Sequence, residues 1–315
     1  MATTGQGGAA PAPPAGGLRK RQTGSERSGA RDLTRPANPE PLAVPLYDNH
    51  THLEFEDGLD VLDPVESLDR AAAVGVRGVV QVGTDLETSR WSAALAAADP
   101  RVLAAVALHP NEAPKLFDQG LLSAQLSEIA RLAAQPRVRA VGETGLDFFR
   151  TGEDGREAQI ESFEAHIDIA KANGIAMQIH DRDAHDEVVA TLKRIGSPAR
   201  TVFHCFSGDA ELARICNDHG WYMSFAGTMT FKNAPALREA LSVAKPELVL
   251  VETDAPFLTP EPFRGRPNAP YLLPHTVRRM AETLDTDVDE LCAQLAKNTE
   301  KVYGSWDEGL EESAA

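Results

Sequence analysis

The sequence predicts a single α/β domain, a (β/α)8 barrel of the TIM type, and three observations carry that expectation. Eight short apolar runs alternate with longer segments of helical spacing between residues 44 and 297, the pattern of a parallel sheet built from βα units. Six side chains able to hold a metal (His50, His52, Glu143, His180, His204 and Asp254) fall at the downstream ends of five of those runs. No G-x-G-x-x-G or Walker pattern follows any run, which weakens the competing architecture, an open doubly wound sheet around a nucleotide cofactor.

Taken in order, the first strand spans 44–50 and leads into Asp48-Asn49-His50-Thr51-His52. Residues two apart share a face of a strand, so His50 and His52 can grip one ion together, although an H-x-H pair alone is a weak sign of metal. Asp63-Pro64 marks a turn into a helix over 64–74, followed by a strand over 78–83 and a helix over 86–98. The third strand, 102–108, closes on Leu108-His109-Pro110, and a helix follows over 121–134. The fourth, 138–143, ends in Val141-Gly142-Glu143. In the helix over 156–172, Ile160, Phe163, Ile167 and Ala170 recur three or four residues apart and form an apolar face. The fifth strand, 176–180, ends in Gln178-Ile179-His180 and leads to a helix over 183–194 that stops at Ser197-Pro198. The sixth, 201–205, carries Val202-Phe203-His204 and is followed by a helix over 209–218. A strand over 222–226, a helix over 234–243 and a strand over 248–252, running on to Glu252-Thr253-Asp254, complete the repeats. Helices over 271–284 and 287–297 end the pattern.

Residues 1–45 are rich in Gly, Pro, Ala and Ser and carry six Arg/Lys against three Asp/Glu; they are expected to be a disordered basic tail. That leaves 46–304 for the barrel and 305–315 for a short acidic end. No apolar run approaches the ~20 residues a bilayer span needs, so no membrane partner is expected. The first residues place charge after the Gly/Pro-rich stretch rather than before an apolar one, and three cysteines have no disulfide spacing. Both features predict a cytoplasmic protein. The net charge is −16, and because the tail is basic the remainder is more acidic still. This excludes a broad nonspecific grip on duplex DNA, but not a nucleic-acid substrate, because bound cations supply local positive charge.

Imidazole and carboxylate together hold zinc and other transition metals, and four imidazoles with two carboxylates exceed what one tetrahedral ion needs. The set therefore implies a two-metal hydrolytic site. Zinc or manganese suits the histidines, and magnesium could serve with water completing its shell. A metal pair of this kind lowers the pKa of bound water and supplies hydroxide at neutral pH. Glu252 is expected to support a ligand rather than bind metal. His109 can reach a substrate phosphate or hold a loop; Arg182 can anchor a phosphate, since guanidinium matches phosphate geometry, or pair with Asp183 or Asp186; and Arg264, Arg266 and Asn268, in the loop after the eighth strand, suit substrate contact or a structural loop. His166, His185, His219 and His275 sit on helices, away from strand ends, and Cys205 should point away from its neighbour His204 as a buried thiol.

The segments YDNHTHLE, ALHP, VGETGLDFF, HDRDAH, FHCFSG, FAGTMTFKN, VETDAPFL and RGRPNAP stand in the order seen in TatD-family metal-dependent hydrolases. The chain resembles that family over roughly residues 46–304, including Asn298 to Gly304. The resemblance implies an amidohydrolase-type barrel with two divalent cations and, commonly, deoxyribonuclease activity. It also implies His50 and His52 on one metal, His180 and His204 on the other, Glu143 as the bridge, and Asp254 beside the first, where it can accept a proton from, or orient, a metal-bridged hydroxide nucleophile. Two positions depart from the family pattern: Ala107 stands where a glycine is usual, and Asp181 where a small residue or cysteine is usual.

The function expected is hydrolysis of phosphodiesters, with single-stranded or frayed DNA ends as substrate, since a barrel mouth admits a strand end more readily than a duplex. The alternative is a metal-dependent esterase or amidase, including D-aminoacyl-tRNA deacylation, because fold alone does not choose the scissile bond. A noncatalytic scaffold would show lost ligands, and none of the six is missing.

Overall fold

The computed structural model describes residues 18–21 and 31–307. The eight apolar runs form one sheet of parallel strands: β1 (Leu46–Thr51), β2 (Val76–Val82), β3 (Val102–Val106), β4 (Val138–Asp147), β5 (Ala176–Arg182), β6 (Thr201–Phe203), β7 (Tyr222–Phe225) and β8 (Val249–Val251). Each strand bonds to the next in chain order. The sheet curls until its two edges meet. Asp254 N–H donates to the His50 carbonyl at 2.9 Å, His52 N–H to the Ala255 carbonyl at 2.8 Å, and Asn49 Nδ2 to the Val251 carbonyl at 2.7 Å. The TIM-type barrel the sequence predicts is the fold observed.

The helices form the outer ring: α1 (Pro64–Ala72), α2 (Leu86–Ala98), α3 (Ala113–Asp118), α4 (Leu122–Ala133), α5 (Glu153–Asn173), α6 (His185–Ile195), α7 (Ala210–His219), α8 (Pro235–Val243), α9 (Leu273–Leu284) and α10 (Val288–Tyr303). Their starts are written locally. Asp63 caps α1 ahead of Pro64, Asp85 and Thr88 make a reciprocal capping box on α2, and Asp209 and Asp287 cap α7 and α10. Phe163, Ile167 and Ala170 of α5 are buried against the sheet, as their spacing predicts. Among the described residues no helix is long and apolar enough to cross a membrane.

Several strand ends differ from expectation, and at β4, β6 and β8 the difference moves a functional side chain. β4 continues past Glu143 to Asp147, helped by Gly145, whose φ of +136° suits glycine and where a Cβ would collide with the His180 carbonyl oxygen. β6 stops at Phe203 and β8 at Val251; Cys205 and Asp254 then take left-handed backbone, with φ of +41° and +51°. Helix α3, which the sequence reading leaves in a loop, follows the His109-Pro110 turn.

The expected solvated tail over 1–45 also needs correction in its described parts. Residues 31–45 run along the barrel, and Arg19–Lys20 pairs in parallel with Phe55–Glu56. The anchor is Asp57, a buried carboxylate that receives Arg31 at 2.5 and 2.6 Å and Arg21 at 3.2 Å, while Arg35 donates to its carbonyl. Arginines of the stretch expected to be disordered thus find a fixed acceptor, a long-range pairing that composition does not show. At the other end the barrel does not stop at 304: Trp306 is buried, stacks on Tyr47 at 4.0 Å, and its carbonyl accepts from Arg137. The remaining parts of the two tails, 1–17, 22–30 and 308–315, lie outside the described residues.

Candidate metal centre

The downstream ends of β1, β4, β5, β6 and β8 bring six predicted ligands to one place inside the barrel mouth. His50 and His52 leave the same face of β1, and their Nε2 atoms face each other at 3.2 Å. Asp254 Oδ1 lies 3.7 Å from His50 Nε2 and 3.6 Å from His52 Nε2; Glu143 Oε2 is 3.8 Å from both. An ion about 2.1 Å from each of several donors sets those donors roughly 3.0–3.5 Å apart, so this group, at 3.2–3.8 Å, needs to draw in by only a few tenths of an ångström around one cation. The other Glu143 oxygen, Oε1, faces His180 Nδ1 at 2.5 Å and His204 Nε2 at 2.8 Å. Glu143 therefore turns one oxygen to each half of the site.

Hydrogen bonds to the far ring nitrogens decide which atoms are available. His52 Nδ1 donates to the Val82 carbonyl at 2.9 Å, which leaves a lone pair on the inward Nε2. His204 Nδ1 sits 3.1 Å from Glu252 Oε1, an oxygen that also accepts the Cys205 N–H at 2.5 Å. The inward Nε2 of His204 is then a lone pair aimed at a carboxylate oxygen. Two acceptors pointed at each other need a positive charge or a proton between them, and a divalent cation meets that need. The donor set fits a metal at both halves.

The electrostatics agree. Burial opposes the charge on Glu143, yet the imidazoles of His204, His109 and His180 hold its carboxyl well below the ordinary range. Burial likewise opposes protonation of His204, His180 and His52, but neighbouring carboxylates outweigh it and raise all three. His50 goes the other way, because burial and the neighbouring His204 and His52 charges depress it. Burial raises Glu252, and it pushes Asp48, which accepts from the Thr253 hydroxyl and amide, up to about 8.

Comparison with known proteins places this arrangement. The family described as TatD related DNase matches residues 47–304. The chain belongs to that TatD family. The uncharacterized metal-dependent hydrolase TatD of Mycobacterium tuberculosis is 46% identical over 264 residues, covering 82% of this chain and 98% of the relative. The 3'-5' ssDNA/RNA exonuclease TatD of Citrobacter rodentium is 34% identical over 251 residues, covering 78% and 93%. Among solved structures, the TatD homologue YjjV of Escherichia coli superposes with a TM-score of 0.72 at 28% identity, covering 82% of this chain and 98% of that one. The protein is a metal-dependent hydrolase of the TatD family.

In this TatD-family barrel His109 takes a place the sequence reading leaves open. Its Nδ1 accepts the Asn111 N–H at 3.0 Å, so in the neutral ring the hydrogen is on Nε2, 3.5 Å from Glu143 Oε1. His109 is a donor toward the centre rather than a lone pair. Asp147 is the residue sequence reasoning missed. Its Oδ2 lies 3.2 Å from His180 Nε2, and the bond from His180 outweighs burial to hold its carboxyl below the ordinary range. The signal was present, since Asp147 stands four residues after Glu143 and shares its strand face once β4 is extended.

Glu252 and Asp254 do not share a face as a continued strand would require. Glu252 supports His204 while Asp254 turns to His50 and His52. Cys205, with left-handed backbone, stands on the wall of a cavity beside the centre. Burial raises its thiol well above the ordinary value, so it is a poor nucleophile. Arg182 lies over the exposed ring of Phe149, and Arg264 over Phe231, each at 4.0 Å. Asn268 and Arg266 are structural instead. Asn268 ties the Thr253 and Phe257 carbonyls, and Arg266 binds Asp32 and the Thr34 carbonyl. His166 is a core residue, bonded to the Leu108 amide and the Ser162 carbonyl.

Proposed function

We propose that the protein is a deoxyribonuclease that hydrolyses phosphodiester bonds at single-stranded or frayed DNA ends. The observation that carries this reading is the pair of arginine–aromatic stacks at the mouth that holds the ligand cluster, Arg182 at the end of β5 on Phe149 and Arg264 on Phe231. Guanidinium groups match phosphate oxygens, and an exposed ring such as Phe149, 62% accessible, stacks on an unpaired base but finds no face in an intact duplex. The acidic remainder of the surface confines such contact to the mouth.

In this reading His50, His52 and Asp254 would hold one divalent cation and His180 and His204 the other, with Glu143 available to both. Two divalent cations, Mg, Mn or Zn, supply an activated water and a clamp for the nonbridging phosphate oxygens. The chain does the rest. Asp254, at the edge of the cluster, accepts the proton of the attacking water. His109 offers its Nε2–H to a phosphate oxygen, while Arg182 and Arg264 orient the strand. Glu252 and Asp147 keep His204 and His180 turned inward.

The test is degradation of end-labelled single-stranded DNA by metal-stripped protein with Mg²⁺, Mn²⁺ or Zn²⁺ restored, beside Glu143→Ala. Metal-dependent trimming that the variant loses is the expected result. Two bound metals without trimming would overturn the nuclease reading in favour of an ester or amide substrate.

A further inference from the structure

Beside the metal centre, on the side of β5, β6 and β7, lies a cavity of about 680 Å³. That volume falls within the range of about 300–1,000 Å³ usual for small-molecule sites. It begins at Cys205, the residue after His204, and runs outward between the starts of α6, α7 and α8. These are the loops on which barrel enzymes carry their substrate contacts. One wall is apolar: Val189, Leu212, Ile215 and Leu237. The rim is polar and acidic, with carboxylates at Asp186, Asp209 and Glu211 against one imidazole, His185. No residue of this cavity stands among the six metal ligands.

Those two features select the occupant. An acidic rim repels a second phosphate, so the cavity suits the uncharged part of a nucleotide. An apolar wall suits the face of a base, and carboxylates accept hydrogen bonds but cannot donate them. Exocyclic amino groups on adenine or cytosine meet such acceptors, whereas thymine presents carbonyl oxygens on either side of its single N–H. Arg264 donates to the Asn233 amide oxygen on the cavity wall at 3.4 Å, so its guanidinium stands at the cavity's edge, within reach of a phosphate attached to a bound nucleoside.

We propose that this cavity is a nucleoside subsite that holds the base next to the scissile phosphate and favours amino-bearing bases over thymine. The choice of ligand rests on the nuclease reading, but the cavity can be tested without catalysis. Binding of deoxyadenosine and thymidine to the metal-stripped full-length protein is followed by saturation-transfer NMR. The native chain is compared with Leu237→Trp and Ile215→Trp, each of which puts a bulky ring on the apolar wall where the base would lie, and thermal unfolding of each variant checks its fold. Deoxyadenosine should bind about tenfold more tightly than thymidine, the scale of one well-placed base contact. That binding should fall at least as far in either folded variant. Equal binding of the two nucleosides by the native protein, no binding of either, or binding unchanged in a folded variant would overturn the proposal. Hydrolysis of bis(p-nitrophenyl) phosphate by the metal-loaded native enzyme is measured in parallel. This diester carries no nucleoside, so its failure speaks against the nuclease reading and leaves the nucleoside result to judge the cavity.

Discussion

The backbone N–H of Asp254 donates to the carbonyl of His50 across 2.9 Å, so a bond that closes the barrel joins two residues of the candidate metal centre. Asp48 reinforces the same seam by accepting the Thr253 amide at 2.9 Å and its hydroxyl at 2.5 Å. Closure of the fold and assembly of the site are therefore one structural event. The inward-facing acceptors at that seam make the closed state costly without positive charge.

Metal binding should accordingly stabilise the fold and release protons. A ligand at a hundred times its Kd adds about 2.7 kcal/mol to unfolding free energy. Burial opposes the protons on His52, His180 and His204, but carboxylates hold them on more firmly than on free imidazole. A cation must displace them, so affinity falls as pH drops from 8 to 6. Titration calorimetry in buffers of different ionisation enthalpy reads the proton count directly; zero release would contradict this account.

Glu252→Gln tests whether the carboxylate behind His204 sets that ring's orientation. Loss of such a partner weakens metal affinity by about 10- to 100-fold. One of two metal equivalents should weaken, while the His50, His52 and Asp254 half retains its own. Two equivalents bound as tightly as in the native protein would remove Glu252 from the site.

His166 supplies an acid-lability independent of the metals. Burial lowers its imidazole to about 4 from the usual ~6.5. The folded state holds it neutral while the unfolded chain takes up a proton. Its contribution is thus complete above pH 6.5 and is lost as pH falls toward 4, up to about 3 kcal/mol. Urea unfolding at pH 7 and pH 5 measures the loss. His166→Gln, which can still accept from Leu108 N–H and donate to the Ser162 carbonyl, should flatten the dependence.

Asp57→Asn removes the charge that holds Arg21 and Arg31. Charge-assisted hydrogen bonds of this kind contribute about 1.5–3 kcal/mol, which sets the expected loss of stability. Protease cleavage within residues 31–45 should quicken in the variant. Unchanged cleavage and unchanged unfolding would mean that Asp57 does not anchor the segment.

Much of this protein was legible in its residues, because a (β/α)8 barrel is encoded by local periodicity. The apolar runs, the capping aspartates ahead of α1 and α2, and the polar residues closing the strands are all short-range patterns. His50, His52, Glu143, His180, His204 and Asp254 could be named together because strand ends of a parallel barrel all open on one face. What the tertiary structure alone decided are the long-range partners. Asp147 became visible only when pairing with β5 carried β4 beyond Glu143, and the different turns of Glu252 and Asp254 depend on where β8 stops. The tautomer of His109 is set by a neighbouring backbone amide, the docking of Arg21 and Arg31 by a buried carboxylate far along the chain, and the cavity beyond Cys205 by the spacing of three helices. Periodicity reports which face of an element is buried. Only packing reports what that face meets.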